Sequence, residues 1–377
     1  MTAGSTDFSL EDRQFMALAI KLAKRGRFTC TPNPAVGCVL VKDGEIVGQG
    51  YHAKAGEAHA EVMAMREAGE HAKGATAYVT LEPCSHYGRT PPCAKGLIEA
   101  GVVRVVAAMQ DPNPQVAGRG LKMLSDAGII TAVGLLEHEA EQLNRGFLKR
   151  MRTGLPYVQL KMAMSIDGRT AMANGESQWI TGELARQDVQ HYRAMASAIL
   201  STSKTVMVDD AALTVRWSQL APQIQAIYPE EKLRQPLRII LDSHHQVLPT
   251  GRLFTTESPI WLVSSQAREM QDYPAFCQQQ VLPESPYFFT DLLTFLGKQQ
   301  INSVWVEAGA TLAGKLIEAQ LVDELIIYIA PKLLGDQARG LCHLPNLHHL
   351  ADAPLWQLVE MTQIGEDIKL VYRQPSL

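Results

Sequence analysis

The feature that most constrains the fold is a set of three candidate metal ligands at the ends of predicted helices and strands. His59-Ala60-Glu61 opens a predicted helix, Cys84 follows a predicted strand, and Cys93 begins the next predicted helix. One His and two Cys leave the fourth tetrahedral position of a zinc ion to water, as in a catalytic rather than a structural site. Zinc lowers the pKa of that water toward neutrality. Glu61 is then the candidate proton shuttle.

The spacing of the two cysteines departs from the general pattern for this chemistry. Zinc deaminases of nucleobases carry H-x-E followed by P-C-x-x-C, whereas eight residues separate Cys84 from Cys93 here. The alternative is an unrelated buried Cys pair beside a surface His. Residues two apart on an ideal helix lie about 200° apart. We therefore expect Glu61 to reach the water from the side rather than to bind the ion with His59.

Strand and helix patterns alternate through the first part of the chain. A helical apolar pattern covers 9–25, with Ser9 and Asp12 as candidate caps. Asp43-Gly44 between two apolar runs predicts a tight β-hairpin. The alternation that follows, up to residue 150, predicts an α/β sheet with helices on both faces.

The pattern restarts near residue 153, which predicts two domains, over 1–152 and 153–377. In the second part, Gly182 to Ala196 is a predicted helix with Thr181 as its cap. Residues 217–235 and 264–290 show weak periodicity, so we expect long surface loops or insertions there.

Composition excludes several classes of protein. The formal net charge of -4 and the absence of a Lys/Arg-rich run argue against a nucleic-acid partner. The N-terminus lacks the apolar core of a secretory signal, and no apolar stretch of about 18 residues predicts a membrane span. Six cysteines in 377 residues do not form a disulfide scaffold. We expect a cytoplasmic protein with reduced thiols.

Longer motifs extend over nearly the whole chain. Those of the first half are Thr31-Pro-Asn33-Pro-x-Val-Gly37, His59-Ala-Glu61, Glu82-Pro-Cys84-Ser-His86, Gly88-Arg-Thr-Pro-Pro-Cys93, Asp111-Pro-Asn113-Pro and Gly118-Arg-Gly120. Those of the second half include Lys161-x-x-x-Ser165-x-Asp167-Gly-Arg169-Thr170, Gly175-Glu-Ser177-Gln-Trp179-Ile-Thr181, Leu213-Thr214-Val-Arg216, Val306-Glu307-Ala-Gly309 and Pro331-Lys-Leu-Leu-Gly335. Together they closely resemble the bifunctional deaminase/reductase family of riboflavin biosynthesis. The long Cys spacing resembles that family's own variant, and its Gly88–Pro92 run favours a small phosphorylated pyrimidine over a nucleic-acid base.

The resemblance implies a cytidine-deaminase-like α/β/α domain followed by a dihydrofolate-reductase-like α/β domain. The first would use one zinc ion per chain to deaminate 2,5-diamino-6-ribosylamino-4(3H)-pyrimidinone 5′-phosphate to 5-amino-6-(5-phosphoribosylamino)uracil. The second would use NADPH to reduce the ribosyl chain, giving 5-amino-6-(5-phosphoribitylamino)uracil. It also implies a homodimer joined through the reductase domain.

The same resemblance implies polar substrate contacts in the first domain. They are Asn33, His52, Asp111 and Asn113. Asn33 and Asn113 each stand beside a proline, so a simple turn is an equally good interpretation of both.

In the second domain, Gly309 to Lys315 follows a predicted strand and opens a predicted helix, where free N–H groups can cradle a phosphate. The segment is not a GxGxxG fingerprint, and such a turn alone is more often structural. The resemblance assigns it to the NADP phosphates. The cofactor contacts that it implies are Ala163, Trp179, Thr205, Asp209, Ser243, Gly309, Ala310, Thr311, Leu312, Ala313, Gly314 and Lys315.

The resemblance also implies substrate contacts in this domain at Ser177, Arg193, Leu213, Arg216 and Glu307. Arg193 and Arg216 have a physical reason to be there, because a 5′-phosphate favours bidentate guanidinium partners. The alternative for either is a solvated surface charge. Motif position alone suggests that Lys161 or Asp209 assists protonation or orients the sugar.

Two other functions compete with this interpretation. A zinc deaminase of RNA or DNA conflicts with the acidic net charge and the lack of an aromatic-basic strip. A zinc-stabilised binding protein conflicts with Glu61 beside an open metal position, because a structural site has a fourth protein ligand.

Overall fold

The chain forms two units, and each is built around one large sheet. The structure is a computed structural model that describes residues 8–85, 91–113 and 116–375. The units cover Met1–Gly154 and Leu155–Leu377. None of the helices within these described ranges combines the length and apolar character that a membrane-spanning helix needs.

The first unit is a five-stranded sheet with helices packed against it. Its helices are α1 (Leu10–Ala23), α2 (Ala60–Ala68), α3 (Cys93–Glu99), α4 (Arg119–Asp126), α5 (Glu137–Leu143) and α6 (Arg145–Thr153). Its strands are β1 (Gly37–Lys42), β2 (Glu45–Tyr51), β3 (Thr76–Val79), β4 (Arg104–Ala107) and β5 (Ile130–Val133). The strand order is β2-β1-β3-β4-β5, and β1 is antiparallel to both neighbours while β3, β4 and β5 are parallel.

Alternate residues of β1 face two separate cores. Val39 and Val41 pack with residues of α1, α5 and α6, whereas Cys38 and Leu40 pack with residues of α2, α3 and α4. The sheet is therefore covered on both faces, as the alternation of elements predicts. The capping box at Ser9 and Asp12 and the Asp43-Gly44 hairpin turn, with both residues at positive φ, are also confirmed.

The second unit contains a nine-stranded sheet. Its helices are α7 (Glu183–Met195), α8 (Ser203–Asp209), α9 (Pro222–Gln225), α10 (Phe288–Lys298) and α11 (Ala310–Glu318). Its strands are β6 (Tyr157–Ser165), β7 (Arg169–Ala171), β8 (Ala198–Thr202), β9 (Leu237–Leu241), β10 (Ile260–Ser264), β11 (Cys277–Val281), β12 (Ser303–Glu307), β13 (Glu324–Ala330), β14 (Arg339–Gly340), β15 (Gln357–Ile364) and β16 (Asp367–Arg373). The order is β11-β10-β9-β8-β12-β6-β13-β16-β15, and β14 pairs with β7 in a separate two-stranded sheet.

The first seven strands of that order are parallel, and the hairpin of β15 and β16 adds to them in antiparallel. One face of the sheet packs against α10 and α11, and the other packs against α7 and α8. Parallel strands bring their carboxyl ends to one edge, which is where ligands bind in open α/β sheets.

Two sequence-based expectations for this unit are wrong. Residues 264–290 are not simply a loop, because they contain β11 and the start of α10. The Cys-Gln-Gln-Gln-Val sequence of β11 lies at the edge of the sheet, so its polar side chains conceal the strand pattern. Thr181 does not cap α7, since Gly182 is the cap residue and its N–H donates to Asp367 at 2.7 Å. Residues 217–235 hold only short helical turns, as expected.

Candidate functional site

The three predicted metal ligands of the first unit converge. Ligand atoms of His59, Cys84 and Cys93 all lie within 4.8 Å of one another. Nδ1 of His59 is 3.2 Å from Sγ of Cys93 and 3.7 Å from Sγ of Cys84. One imidazole nitrogen and two sulfurs at this separation form a donor set that suits zinc.

Helix starts explain why these side chains meet. His59 is the cap residue before α2, with extended backbone angles, and Cys93 is the first residue of α3. The backbone N–H of Cys93 donates to Sγ of Cys84 at 3.3 Å. Because α2 begins at Ala60, His59 lies outside the helix and the ideal rotation of 200° between it and Glu61 does not apply.

The charges of these groups favour metal binding. Hydrogen bonding from Cys93 is the largest cause that lowers the pKa of Cys84, to about 4, and the backbone N–H of Cys93 and His59 add to it against the effect of burial. The pKa of Cys93 is raised, because its thiol donates to Cys84 and is buried. The hydrogen bond to Cys84 raises the pKa of His59. A thiolate is therefore available before any metal binds.

Glu61 lies in the first turn of α2 and is only 3% exposed. Burial, followed by the nearby Cys84, raises the pKa of its carboxyl group to about 7. Its carboxylate also interacts with the Cys93 thiol. A carboxyl group with a pKa near neutrality, next to the ligand cluster, is suited to accept and return a proton.

Two of the expected substrate residues connect directly to this cluster. Nδ2 of Asn33 lies 3.0 Å from Nε2 of His52, and Nδ1 of His52 lies 3.1 Å from the carbonyl oxygen of Ala58. The His52 and His59 rings meet edge to face, with centroids 5.3 Å apart. Burial lowers the pKa of His52, so the ring is neutral and accepts from Asn33 while it donates to Ala58.

The other two lie on the segment after β4. The Asn113 N–H donates to Oδ1 of Asp111 at 2.8 Å, which is the turn geometry that the adjacent prolines suggest. Glu82 has no local sequence signal of a site residue, but it is buried and accepts the backbone N–H groups of Asp111 and Gly118. Residues 88–90 of the Gly-Arg-Thr-Pro-Pro run and Pro114 of the Asp-Pro-Asn-Pro motif lie outside the described residues.

The second unit has a cavity of about 1450 Å³ at the carboxyl ends of its parallel strands. Most residues expected to bind cofactor or substrate line it, namely Ala163, Ser177, Trp179, Arg193, Thr205, Asp209, Leu213, Arg216, Ser243, Glu307, Gly309, Ala310, Thr311, Leu312 and Lys315. Lys161 of β6 also lines it, and burial lowers the pKa of that amine. The cavity is large enough for a dinucleotide and a sugar phosphate together.

Two residues of the expected phosphate loop do not line this cavity. Ala313 is fully buried in the core. A Cβ on Gly314 would lie 1.9 Å from the carbonyl oxygen of His343, so Gly314 serves close packing of α11. A Cβ on Gly309, the cap residue of α11, would meet nothing within 4 Å. The part of the segment that is open to a ligand is therefore Gly309 to Leu312 with Lys315.

Arg193 differs from the expectation that its guanidinium is available for bidentate phosphate binding. Its Nε and one terminal nitrogen donate to Glu307 at 2.6 and 2.8 Å, and the other terminal nitrogen donates to the Thr214 carbonyl at 2.9 Å. Arg216, like Arg193, lies on the cavity wall. Burial and the like charges of Arg193 and Arg252 lower its pKa, so an anion beside it would relieve repulsion.

The cavity wall carries four further cations that were not predicted from the sequence, at Arg186, Lys204, Arg252 and Arg339. Arg186 lies over the Trp179 ring at 4.7 Å from its centroid. Arg339 belongs to β14, which reaches this region only by pairing with β7. Spacing along the chain contains no signal for such a contact.

Comparisons with known proteins agree with both units. The cytidine and deoxycytidylate deaminase zinc-binding region matches residues 9–109. The family described as RibD C-terminal domain matches residues 156–370. The fold and the two sites therefore define a two-domain α/β enzyme, with a zinc-binding deaminase domain followed by a reductase domain.

Similarity to full-length relatives specifies the family. The chain is 65% identical to riboflavin biosynthesis protein RibD of Haemophilus influenzae, over 97% of this chain and 98% of the relative. It resembles the solved structure of Acinetobacter baumannii RibD with a TM-score of 0.89 and 46% identity, covering 97% of this chain and 99% of that one. A Thermotoga maritima diaminohydroxyphosphoribosylaminopyrimidine deaminase/5-amino-6-(5-phosphoribosylamino)uracil reductase matches with a TM-score of 0.84 and 31% identity, over 97% and 99%. The chain belongs to the RibD family, the bifunctional deaminases and reductases of riboflavin biosynthesis.

Proposed function

We propose that the first domain deaminates 2,5-diamino-6-ribosylamino-4(3H)-pyrimidinone 5′-phosphate to 5-amino-6-(5-phosphoribosylamino)uracil, at one zinc ion held by His59, Cys84 and Cys93. The convergence of these three ligand atoms within 4.8 Å beside the buried Glu61 supports the proposal. The substrate follows from the activity that the name of the Thermotoga maritima relative gives.

Each residue of this site has a separate task. When bound, zinc supplies an acidified water molecule. Glu61 takes a proton from the attacking water and gives it to the leaving amine. Asn33, with His52 held neutral behind it, binds the polar edge of the pyrimidine, and Asp111 and Asn113 contact the substrate from the segment after β4. Low exposure of Glu61 keeps the transferred proton out of bulk water.

Glu61→Ala tests the shuttle. The variant should keep one zinc ion per chain, since Glu61 is not a proposed ligand. Its rate of ammonia release should fall by about 10²-fold or more. Zinc content by mass spectrometry and ammonia release from the diaminopyrimidine are the two measurements. Glu70→Ala, at an exposed glutamate of the same unit, is the matched control. Ammonia release that survives in Glu61→Ala would remove the shuttle role.

For the second domain, we propose reduction of the ribosyl chain by NADPH, giving 5-amino-6-(5-phosphoribitylamino)uracil. The cavity at the carboxyl ends of the parallel strands supports this proposal. NADPH would contact Ala163, Trp179, Thr205, Asp209, Ser243, Gly309 to Leu312 and Lys315. The substrate would contact Ser177, Leu213, Arg216 and Glu307, with Arg193 acting through its bonds to Glu307.

Hydride transfer requires mainly that two carbon atoms are held in position, so the protein contributes orientation and electrostatics. Lys161 is a half-buried lysine of the cavity and lies opposite Glu307 in the paired strands β6 and β12. We propose that Lys161 or Asp209 assists protonation or orients the sugar. If the Asp209→Asn variant reduced substrate at the normal rate, Asp209 would be excluded from this role and Lys161 would remain the candidate.

Two sites on one chain should be separable by mutation. A bulky change at Gly309 should abolish NADPH oxidation while ammonia release continues. Glu61→Ala should do the reverse when the deaminated substrate is supplied. Both activities can be followed together by NADPH absorbance and an ammonia assay. Loss of both activities in either variant would indicate a single active site.

We propose that the protein is a homodimer joined through the reductase domain. Strand β15 supports this, because it lies at the edge of the sheet and nearly all of its residues are exposed, with Leu358 at 48% and Met361 at 70%. Long apolar edge strands are seldom left open in a monomer. Met361→Glu should lower the mass measured by light scattering to that of a monomer, whereas Leu248→Glu, at another exposed leucine, should not. A wild-type monomer would disprove the dimer.

We also propose a cytoplasmic location. The proposed site needs the Cys84 and Cys93 thiolates in reduced form, and the cytoplasm keeps thiols reduced. Fractionation of cells that express the full chain should place the protein with a cytoplasmic marker, and recovery in another fraction would contradict this.

A further inference from the structure

Glu82 is a buried carboxylate that the proposed mechanism does not use. It follows β3, lies two residues before Cys84, and is 3% exposed. Its own N–H donates to the carbonyl oxygen of Met109 at 3.0 Å. A buried charge of this kind requires compensation from its surroundings.

Backbone N–H groups supply that compensation. Oε2 of Glu82 accepts from Asp111 at 3.2 Å and from Gly118 at 2.9 Å. Oε1 accepts from Gly120 at 2.9 Å and from Leu121 at 3.3 Å. In the described part of the chain, all of its hydrogen-bond donors are therefore backbone groups, and three of them belong to the N-terminal end of α4.

These bonds connect two parts of the proposed deaminase site. Asp111 stands at the start of the substrate segment, and Gly118 stands where α4 begins. Helix α4 also packs closely against the chain beside Cys84. A Cβ on Gly120 would lie 1.9 Å from the carbonyl oxygen of Pro83, the residue before Cys84. One carboxylate thus joins the chain that carries Cys84 to Asp111 and to the start of α4.

We propose that Glu82 is a positioning residue for the deamination: it sets Asp111 and Asn113 at a fixed place relative to Cys84. The inference rests on the proposed deaminase site and adds a residue to it. Glu82 contacts neither substrate nor metal in this scheme. Its effect on the reaction therefore passes through the position of the substrate segment.

The chemistry of the carboxylate makes the proposal testable. Each oxygen of Glu82 accepts two hydrogen bonds. In Glu82→Gln, one oxygen becomes an NH2 group that faces two N–H donors, so two bonds are lost at nearly constant volume. Glu82→Asp retains both acceptors on a side chain that is one methylene shorter.

The experiment uses the full chain with zinc bound. Glu82→Gln should raise KM for ammonia release by about tenfold or more, through loss of charge-assisted hydrogen bonds, with a smaller change in kcat. Zinc content should stay at one per chain, and NADPH oxidation on the deaminated substrate should be unchanged. Glu82→Asp should raise KM less than Glu82→Gln does. If Glu82→Gln does not fold, a raised KM for ammonia release in Glu82→Asp tests the same proposal.

Asp12→Asn is the matched control. Asp12 is another buried carboxylate of the same unit, bonded to Arg104 and Tyr78. Its loss should lower the unfolding temperature and leave KM unchanged. Lowered stability without a change in KM in the Glu82 variants, or zinc loss that added zinc restores to full activity, would overturn the positioning role. Absence of ammonia release from the wild type would instead disprove the proposed deaminase function.

Discussion

Arg193 on α7 and Glu307 at the end of β12 form a bidentate ion pair, with nitrogen–oxygen distances of 2.6 and 2.8 Å. Both side chains are largely buried, and Nε1 of Trp305 donates to the same carboxylate at 2.8 Å. The pair therefore fixes a helix to the strand edge at which the reductase cavity opens.

Removing one member of this pair should destabilise the reductase domain. Glu307→Gln leaves the buried Arg193 without its counter-charge, which typically costs about 3–5 kcal/mol. Denaturant unfolding of the full chain, followed by the fluorescence of the second domain's tryptophans, measures the loss. Glu360→Gln, which weakens a half-exposed ion pair with Lys369 in the same domain, should cost less than about 1 kcal/mol. Equal effects of the two changes would contradict the role of burial.

The same pair should make the stability of this domain sensitive to acid. Burial acts to raise the pKa of Glu307, but the Arg193 charge and hydrogen bonds outweigh it and lower the pKa from 4.5 to about 2. A depressed pKa stabilises the folded state above the unfolded-state value of 4.5. This contribution, about 3 kcal/mol, should be lost as the pH falls from 4.5 to 2. Urea midpoints across that range should fall steeply for the wild type and less steeply for Glu307→Gln.

Substitution by alanine should affect stability differently at Gly309, which precedes α11, and at Gly314, which lies within it. Gly314→Ala places a Cβ 1.9 Å from the His343 carbonyl oxygen, so it should lower the unfolding temperature by several degrees. Gly309→Ala has open space and an ordinary negative φ, so stability should stay unchanged. If the NADPH phosphates approach the backbone at Gly309, KM for NADPH should rise about tenfold. A normal KM for NADPH in Gly309→Ala would move the phosphates elsewhere.

Arg238 should be the most sensitive cation of the reductase core. It is fully buried on β9, burial lowers its pKa to about 10, and its guanidinium donates to the carbonyl oxygens of Ala212, Leu253, Thr256 and Ser258. Arg238→Met should cost at least about 3 kcal/mol, because several buried acceptors lose their donor. Calorimetry measures the effect, with Lys232→Met at an exposed site as the comparison. A loss below 1 kcal/mol in Arg238→Met would show that water replaces the guanidinium.

The cluster of candidate metal ligands was predictable because local signals mark its residues. Each of His59, Cys84 and Cys93 stands where an apolar pattern starts or stops, and Glu61 follows in the first helical turn. The α/β architecture was predictable for the same reason, since the period of the apolar residues changes at each boundary. Contacts between distant residues were not predictable in this way. Glu82 acts through N–H groups 29 to 39 positions away, and Arg193 meets Glu307 across 114.

Differences in burial are a second reason why some strands and side-chain positions could not be predicted from the sequence. Strand β11 is rich in glutamine and β15 is exposed along most of its length, so neither shows the alternation of a half-buried strand. Both Arg193 and Arg216, predicted as phosphate contacts, line the cavity, but the guanidinium of Arg193 is held in an ion pair with Glu307. Nothing in the local sequence distinguishes these two arginines.

The strand order of the second sheet has a consequence for the order of events during synthesis. Strand β6 lies between β12 and β13, which follow it by well over a hundred residues. The described strands of the first unit pair with partners no more than 41 positions away, so this unit can fold while the rest is still being made. Strand β6 must wait many seconds for its neighbours at ordinary rates of translation. Protease treatment of ribosome-stalled chains should find the first unit resistant and β6 cleavable until residue 330 has emerged. A nascent chain would thus have a formed metal-binding unit well before it has a reductase.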